Sequence, residues 1–250
     1  MSQWVINGIR AGIKTTAYPK GAESAAGVTP GIPAGGQFDA ASARALTDCC
    51  PAGVFSLEGG RVAADARRCI HCYRCIRAVE HPADWQPSYE WTVLRNGQNE
   101  FVPAFKKSIH ILVVDAGDCG ACLNEVKQLN NPYYNMHRLG FFITPSPRHA
   151  DILLVAGPVT DHMSFTLEKI YGAMPGPKRV MAAGVCALTG GVFAASPVAA
   201  RVAGVLPVDV EVPGDPPPPL ALLHGLLVAA GRKQAANTIS MLLPEERAAK

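Results

Sequence analysis

Eight cysteines fall into two groups whose spacing is typical of iron–sulfur sites rather than of disulfides. The first group, in DCCP and CIHCYRC, comprises Cys49, Cys50, Cys69, Cys72 and Cys75. The second group, in DAGDCGACLNE and AAGVCALTGG, comprises Cys119, Cys122 and Cys186. A CxxCxxC run with a distant Cys-Pro supplies the thiolates that hold a cubane cluster. The two groups therefore predict two redox-active sites in one chain.

The first cysteine group keeps the ligands of one cluster and lacks those of a second. Two-cluster bacterial ferredoxins carry two CxxCxxCxxxCP runs, and the last cysteine of each run binds the cluster of the other run. Here Val79 and Glu80 stand where the second run would have Cys-Pro, and the first run retains only Cys50 and Pro51. The surviving ligand set is Cys50, Cys69, Cys72 and Cys75. The segment thus resembles a ferredoxin-like α+β module reduced to one [4Fe–4S] cluster.

A structural zinc ion is the alternative for this first group. A CxxC pair with further cysteines also suits tetrahedral zinc, although a run of three cysteines has little use in a four-ligand zinc knuckle. The remaining thiol, Cys49, is expected to be a packed side chain rather than a ligand.

Apolar runs and helical stretches alternate from Lys107 onward. The predicted strands are the run IHILVVDAG followed by Leu139–Ile143, Ile152–Ala156, Arg179–Ala183 and Val205–Val212. The predicted helices are Cys122–Leu129, His162–Met174 and Leu220–Gly231. Such alternation is typical of an α/β fold with a parallel, doubly wound sheet, and we expect one of the flavodoxin-like type.

The second cysteine group is placed where such a sheet binds ligands. Cys119 and Cys122 follow the first predicted strand, Cys186 follows Arg179–Ala183, and the motif VPGD follows the last strand. Open α/β sheets bind ligands just beyond the carboxyl ends of their strands. Residues far apart in the sequence are therefore expected to converge on one crevice.

Composition sets limits on the function. The chain has 250 residues, of which 48% are hydrophobic, and its net charge of +3 is too small to indicate binding to nucleic acid. No run of about 18 apolar residues is present, so no membrane-spanning helix is expected. The N-terminal stretch lacks the apolar segment of a secretory signal, and the thiols have metal-ligand spacing, so a reducing cytoplasmic setting is expected.

These patterns divide the chain into four parts. We expect an extended N-terminal arm over residues 1–36 because this stretch becomes rich in Gly and Pro. The ferredoxin-like module is expected over residues 37–100 and the α/β domain over residues 107–233, followed by a C-terminal tail over residues 234–250.

Several motifs of the α/β domain together resemble one known family. The segments DAGDCGACLNEV, SPRHADILLVAGPVTDHM, AAGVCALTGGVF and VPGDPPPPLAL are similar to the small, cluster-bearing subunit shared by respiratory complex I and membrane-bound group 4 nickel–iron hydrogenases, including formate hydrogenlyase. The likeness extends over about residues 107–232, and the CxxC spacing resembles the hydrogenase branch. The stretch WVINGIRAGIKTTAYPKG resembles the start of the ferredoxin-type subunit of the same complexes, so the chain would be a fusion of two electron carriers.

The resemblance implies a second [4Fe–4S] cluster with an unusual fourth ligand. Carried over by position, its ligands are Cys119, Cys122 and Cys186, and Asp215 stands where the family has the cysteine of a PGCPP motif. A carboxylate is a harder ligand than a thiolate and would change the cluster's potential. Three outcomes stay open: Asp215 completes the cluster, a three-cysteine cluster keeps an open or solvent-filled corner, or the cluster is absent or replaced, for example by zinc.

The resemblance also singles out Glu125, three residues after Cys122. The family keeps a glutamate here near its catalytic partner, where it is implicated in proton transfer. The alternative is a carboxylate in the first turn of a helix, stabilised by the helix dipole.

The function that these features imply is electron transfer without catalysis by this chain alone. The sequence has no phosphate-binding loop and lacks the paired CxxC motifs that a nickel–iron site needs. We expect a subunit of an oxidoreductase complex whose partners are a hydrogenase or complex I-type large subunit, membrane-embedded subunits and further ferredoxin-type subunits. It would lie peripherally on the cytoplasmic side of the inner membrane. The alternatives are a related complex with another acceptor such as quinone, and a degenerate structural subunit that keeps only the ferredoxin-like cluster.

Overall fold

The structure is a computed structural model that describes residues 2–24, 28, 30–79, 85–86, 88–95, 107–194, 196 and 199–236. Glu80, most of the segment before Lys107 and the end of the predicted tail lie outside the described residues. The elements before residue 107 are α1 (Gln3–Ala11), β1 (Ile32–Pro33), α2 (Ala40–Cys49), β2 (Phe55–Glu58), β3 (Arg61–Ala64), α3 (Arg74–Ala78), β4 (Trp85–Gln86) and β5 (Val93–Leu94).

The region of the first cysteine group is built on helix α2 and a hairpin. The side chain of Asp39 caps α2 by accepting hydrogen bonds from the backbone N–H groups of Ala41 and Ser42. Strands β2 and β3 pair in antiparallel fashion, and β1 pairs with β4 in a second two-stranded ladder. The small core between these elements contains Ala43, Leu46, Val54, Phe55, Val62 and Ala64 together with Cys69 and Cys75.

The elements from residue 107 onward alternate between strand and helix. They are β6 (Ile109–Asp115), α4 (Ala121–Gln128), β7 (Phe141–Ile143), β8 (Ile152–Ala156), β9 (Val159–Thr160), α5 (Asp161–Ala173), β10 (Arg179–Ala183), α6 (Val185–Thr189), β11 (Ala199–Ala200), β12 (Val210–Val212) and α7 (Pro219–Ala229).

The main sheet has the order β5-β12-β10-β8-β6-β7. Its last five strands run parallel, and β5 is added at one edge in antiparallel fashion. Numbered along the chain, the parallel strands have the order 2-1-3-4-5, which is the flavodoxin-like arrangement. Every residue of β8 and β10 is buried, because helices cover both faces of the sheet. The structure thus confirms the predicted α/β class and parallel sheet.

Two predicted strands are shorter than expected. In the predicted strand Leu139–Ile143, the first residue is the last one of a 3-10 turn over Met136–Leu139. Only Phe141–Ile143 is extended. Gly140 ends that turn with φ 76°, a conformation that breaks a strand. The run Val205–Val212 is extended only over Val210–Val212, since Pro207 lacks the N–H group that an earlier start of the strand would need.

The predicted N-terminal arm packs against the main core through Tyr18. Tyr18 is 1% exposed and lies edge-on to Tyr89, with ring centroids 5.1 Å apart. Its backbone carbonyl accepts a hydrogen bond from the Arg138 side chain. Helix α1, by contrast, has no buried residue, and Trp4 is 75% exposed. Within the part of the chain that the structure describes, no helix has the length and apolar content needed to cross a membrane.

Helix α7 is buried along its whole length. One side packs on the sheet, and the segment that carries Tyr89 and Trp91 covers the other side. The backbone N–H of Thr92 donates to Nδ1 of His224 on this helix, at 3.4 Å. A helix enclosed in this way is apolar on every face, which explains the composition of the stretch PLALLHGLLVA.

The close contact of α7 with the sheet gives a prediction for Gly225. A Cβ atom at this position would lie 2.5 Å from Cγ2 of Val212 and 2.8 Å from Cε of Met181. We expect Gly225→Ala to lower the free energy of unfolding by about 1–3 kcal/mol, because the branched Val212 cannot move away. The midpoint of urea denaturation measures this change.

The matched control is Gly172→Ala in helix α5, where a Cβ atom would meet nothing within 4 Å. This exchange should raise stability by about 0.5–1 kcal/mol through the better helix propensity of alanine. Equal shifts in the two variants would contradict the packing that we describe around Gly225.

Candidate metal centres

The four cysteines predicted as ligands of the first cluster line one small cavity, together with Pro33, Val54, Phe55 and Trp85. Cys50 caps the carboxyl end of helix α2, and Cys75 lies in helix α3. Cys69 and Cys72 belong to the loop between the hairpin and α3. The four thiols thus come from three separate local structures and meet in one apolar space.

The loop that carries Cys69 and Cys72 has an unusual backbone. His71 and Tyr73 both have left-handed conformations, with φ 50° and 56°. Such conformations cost of order 1–3 kcal/mol each for residues other than glycine. These two conformations let the chain turn tightly around the cavity. The backbone N–H of Val54 also donates to the Cys50 sulfur at 3.3 Å, the kind of contact that tunes the potential of a bound cluster.

Burial favours the protonated form of two of the thiols that line this cavity, those of Cys69 and Cys75. It raises the pKa of Cys69 to about 12. Burial also raises the pKa of Cys75, and the Trp85 indole N–H partly opposes this effect. That indole nitrogen is buried and has no oxygen or nitrogen acceptor among the described residues, so it is available to a sulfur ligand. A metal would have to displace the thiol protons as it binds.

Cys49 lies beside this cavity without lining it. Its thiol donates to the Leu46 carbonyl at 3.3 Å within helix α2. The side chain is therefore already engaged as a small packed group.

The second group of candidate ligands meets at the carboxyl edge of the sheet. Cys119 and Cys122 follow β6, with Cys122 in helix α4, and Cys186 lies in helix α6 just after β10. Asp215 follows β12. Burial, Asp215 and Cys119 raise the pKa of Cys186 to about 11. Burial, Asp118 and Asp215 likewise raise the pKa of Cys122, so these groups interact electrostatically.

Gly184 provides the space for the Cys122 sulfur. A Cβ atom on this glycine would lie 2.6 Å from Sγ of Cys122, and the glycine has φ 92°. Its N–H donates to the carbonyl of Val212 at 2.9 Å, and the next N–H, of Val185, donates to the carbonyl of Gly214 at 2.9 Å. These bonds join the start of helix α6 to the loop that carries Asp215.

Asp118 is a member of this site that the sequence analysis did not identify. Its carboxylate accepts hydrogen bonds from the N–H groups of Gly120 at 2.9 Å and Leu123 at 3.1 Å. It therefore orders the turn between Cys119 and Cys122. An acidic residue directly before a CxxC pair at a helix start was the available signal, because such a carboxylate can satisfy the first free N–H groups of the helix.

Asp215 and Glu125 have raised pKa values. Burial and the Asp118 carboxylate raise the pKa of Asp215, whereas His71 lowers it. Burial alone raises the pKa of Glu125, which lies three residues beyond Cys122 in α4.

Both donor sets have the chemistry that an iron–sulfur cluster takes. Within the described ranges, no three His, Cys, Asp or Glu side chains converge closely enough to hold one metal ion. A cubane does not require such convergence, because each ligand binds a different iron. The first cavity offers four sulfur donors, and the second site offers three sulfurs and one carboxylate.

Comparison with known proteins places the second site within a family. Residues 119–229 match the family described as NADH ubiquinone oxidoreductase, 20 Kd subunit. The probable membrane-bound hydrogenase subunit mbhJ of Pyrococcus furiosus is 43% identical over 124 residues, which span 49% of this chain and 74% of that protein. The chain belongs to the 20 kDa subunit family.

One further relative and one solved structure are similar to this chain. Formate hydrogenlyase subunit 7 of Escherichia coli is 38% identical over 127 residues, covering 50% of each protein. A subunit in the structure of an archaeal membrane-bound sulfane sulfur reductase superposes with a TM-score of 0.45 at 29% identity, covering 54% of this chain and 77% of that one. The family match includes all four candidate ligands of the second site, and the first four cysteines lie outside it.

The space around Cys122 gives a prediction for Gly184. We expect Gly184→Ala to prevent assembly of the second site, because the new Cβ atom would lie only 2.6 Å from the Cys122 sulfur and displace it. The first site should be unaffected. Iron and sulfide per chain, measured after anaerobic reconstitution, report the loss.

Gly120→Ala is the matched control, since Gly120 also has a positive φ, of 95°, but a Cβ there would meet nothing within 4 Å. It should cost about 1 kcal/mol of backbone strain and leave the iron content unchanged. Equal iron content in the two variants would show that Cys122 does not need this space.

The pKa of Cys186 gives a prediction for the metal-free chain. A thiol with a pKa of about 11 is only about one-thousandth thiolate at pH 8. Iodoacetamide should therefore modify Cys186 slowly at pH 8, and roughly tenfold faster for each pH unit until the pH approaches that pKa. Peptide mapping by mass spectrometry follows the reaction. Exposed Cys119 should react first, and equal rates at the two thiols would contradict the burial of Cys186.

Proposed function

We propose that this chain is an electron-transfer subunit of a membrane-associated oxidoreductase complex of the complex I and group 4 hydrogenase type. The observation that carries the proposal is the grouping of eight candidate ligands into two sites, one in the N-terminal cavity and one at the carboxyl edge of the sheet. The named relatives of the second half are subunits of hydrogenase and formate hydrogenlyase complexes. Together these features support two iron–sulfur clusters in one polypeptide.

In this proposal the cavity residues Cys50, Cys69, Cys72 and Cys75 hold one [4Fe–4S] cluster. Their apolar surroundings limit access of water, and the N–H groups of Val54 and Trp85 face the sulfurs. Hydrogen bonds to cluster sulfurs and burial are two means by which a protein sets a cluster's potential. A bound cluster would supply reversible one-electron transfer.

At the second site Cys119, Cys122 and Cys186 would hold a second [4Fe–4S] cluster, with Asp215 at the fourth position. Burial raises the pKa of this half-buried carboxyl group, and ligation of iron would use its deprotonated form. An open or solvent-filled corner is the other arrangement of this site. In both cases the fourth donor differs from the three sulfurs, and we propose that this difference sets the potential of the second cluster apart from that of the first.

We further propose that the second site faces the large subunit of the complex, and that Glu125 moves protons there. Burial raises the pKa of Glu125, a shift in the direction that suits a carboxyl group which takes up and releases protons. Membrane-embedded subunits and further ferredoxin-type subunits complete the proposed complex. This chain would then be bound at the cytoplasmic face of the inner membrane through its partners. A related complex that reduces another acceptor, such as quinone, fits the same two sites.

The ligand assignment predicts the iron content of the full-length chain. Two [4Fe–4S] clusters correspond to about eight irons per chain, with two sets of electron paramagnetic resonance signals on reduction. We expect Cys72→Ser to impair the first site and lower the content toward about four irons, and Asp215→Cys to alter the signal of the second site alone. Iron and sulfide analysis of anaerobically purified protein measures both effects.

Cys49→Ser is the matched control, because its thiol already bonds to Leu46 and lies outside the cavity. It should leave iron content and spectra unchanged. About four irons in the wild type, with spectra indifferent to Asp215→Cys, would instead indicate a degenerate α/β domain that serves as a scaffold.

A further inference from the structure

The loop of the first site makes aromatic contacts toward the α/β domain. His71, between the candidate ligands Cys69 and Cys72, is largely buried, and its Nε2 pairs with the Gly31 carbonyl at 3.0 Å. Its ring centroid lies 5.6 Å from that of Trp85 and 6.2 Å from that of Trp91. The His71 imidazole therefore lies on the side of the cysteine loop that faces Trp91, in contact with the segment that carries this tryptophan.

Trp91 connects the His71 ring with the loop that carries Asp215. The side chain is 1% exposed, and its Nε1–H donates to the Pro213 carbonyl at 2.7 Å. Pro213 is two residues before Asp215. One ring contact and one buried hydrogen bond thus connect a ligand loop of the first site with the fourth-ligand loop of the second.

A second connection between the two parts of the chain is built differently. The Thr189 hydroxyl donates to the Arg67 carbonyl at 3.5 Å, and the Arg67 guanidinium lies 3.9 Å from the Glu211 carboxylate. Both of these contacts are long. The hydrogen bond that Trp91 donates is shorter, at 2.7 Å, and its acceptor, Pro213, lies two residues before Asp215.

We propose that His71 and Trp91 form the link between the two cysteine sites, fixing their separation and providing the electronic coupling between them. This inference rests on the proposed two-cluster function. Electron tunnelling weakens steeply with distance and is stronger through packed and hydrogen-bonded atoms than through gaps. His71 and Trp91 are positioning residues and would be neither oxidised nor reduced. The single electron lost by a cluster bound at one site would be gained by a cluster bound at the other.

Two variants of the full-length chain test the link by different means. Trp91→Phe keeps an aromatic ring but removes the hydrogen bond to Pro213. His71→Asn removes the ring but keeps a residue that tolerates a left-handed backbone. The matched controls are Trp4→Phe and His162→Asn, since both side chains are exposed and lie in elements without candidate ligands.

The measurement is the magnetic interaction between the two clusters when both are reduced, recorded by electron paramagnetic resonance. Iron content and melting temperature are measured on the same samples, so that a loss of cluster or of fold is detected separately. We expect both test variants to retain their iron and each individual cluster signal. The interaction should fall several-fold in them, with a broader distribution of cluster separations, whereas the controls should match the wild type.

The outcomes separate this inference from the proposal beneath it. Two clusters in the wild type, with the same interaction in all four variants, would overturn the His71–Trp91 link and leave the two-cluster function intact. A wild type with only one cluster would overturn the two-cluster function and the link together. A weakened interaction in either test variant, at unchanged iron content and melting temperature, supports the link.

Discussion

The common carboxyl edge of the parallel sheet is the constraint on which the second site depends. Strands β6, β10 and β12 end at this edge, and each is followed directly by candidate ligands. The carboxyl ends of parallel strands lie at the same edge of the sheet. Candidate ligands nearly 100 positions apart in the sequence are therefore brought together there. The close approach of Gly184 to the Cys122 sulfur and the hydrogen bonds of Gly184 and Val185 to the β12 segment then set the spacing.

Desolvation of the thiols connects the structure with the proposed chemistry. Cys69, Cys122 and Cys186 are held where burial favours the neutral thiol, so that metal coordination is the event that makes them thiolates. The same low-dielectric surroundings would strengthen the effect of each nearby N–H group and carboxylate on a bound cluster. Asp118 and Asp215 add negative charge at the second site, whereas no carboxylate among the described residues lines the first cavity, so the two sites have different electrostatic environments.

The two halves of the chain are joined more closely than a fusion through a linker would require. Strand β5 adds to the edge of the main sheet, and the segment before it crosses the buried helix α7. Tyr18 of the N-terminal stretch belongs to the same core. The segment between the two cysteine groups therefore contributes to the α/β core, and Trp91 is one of its most buried side chains.

The sequence by itself determined the ligand types, the alternation of elements and the family resemblance. Cysteine spacing is local information, and the buried strands Ile152–Ala156 and Arg179–Ala183 were evident as continuous apolar runs because both of their faces are covered. Strand ends at Leu139 and Val205 were misjudged, since a glycine turn and a proline interrupt otherwise apolar runs.

Only the tertiary structure decided which residues surround the ligands. Gly184 and Trp91 have no local pattern that marks them, because their roles come from contacts with segments distant in the chain. Trp91 reads as an ordinary core aromatic until its N–H is seen to meet the Pro213 carbonyl. The periodicity of apolar residues indicates how a segment is buried. The separation of the two sites depends instead on how whole helices and strands pack against one another, and this packing is fixed only when the chain has folded.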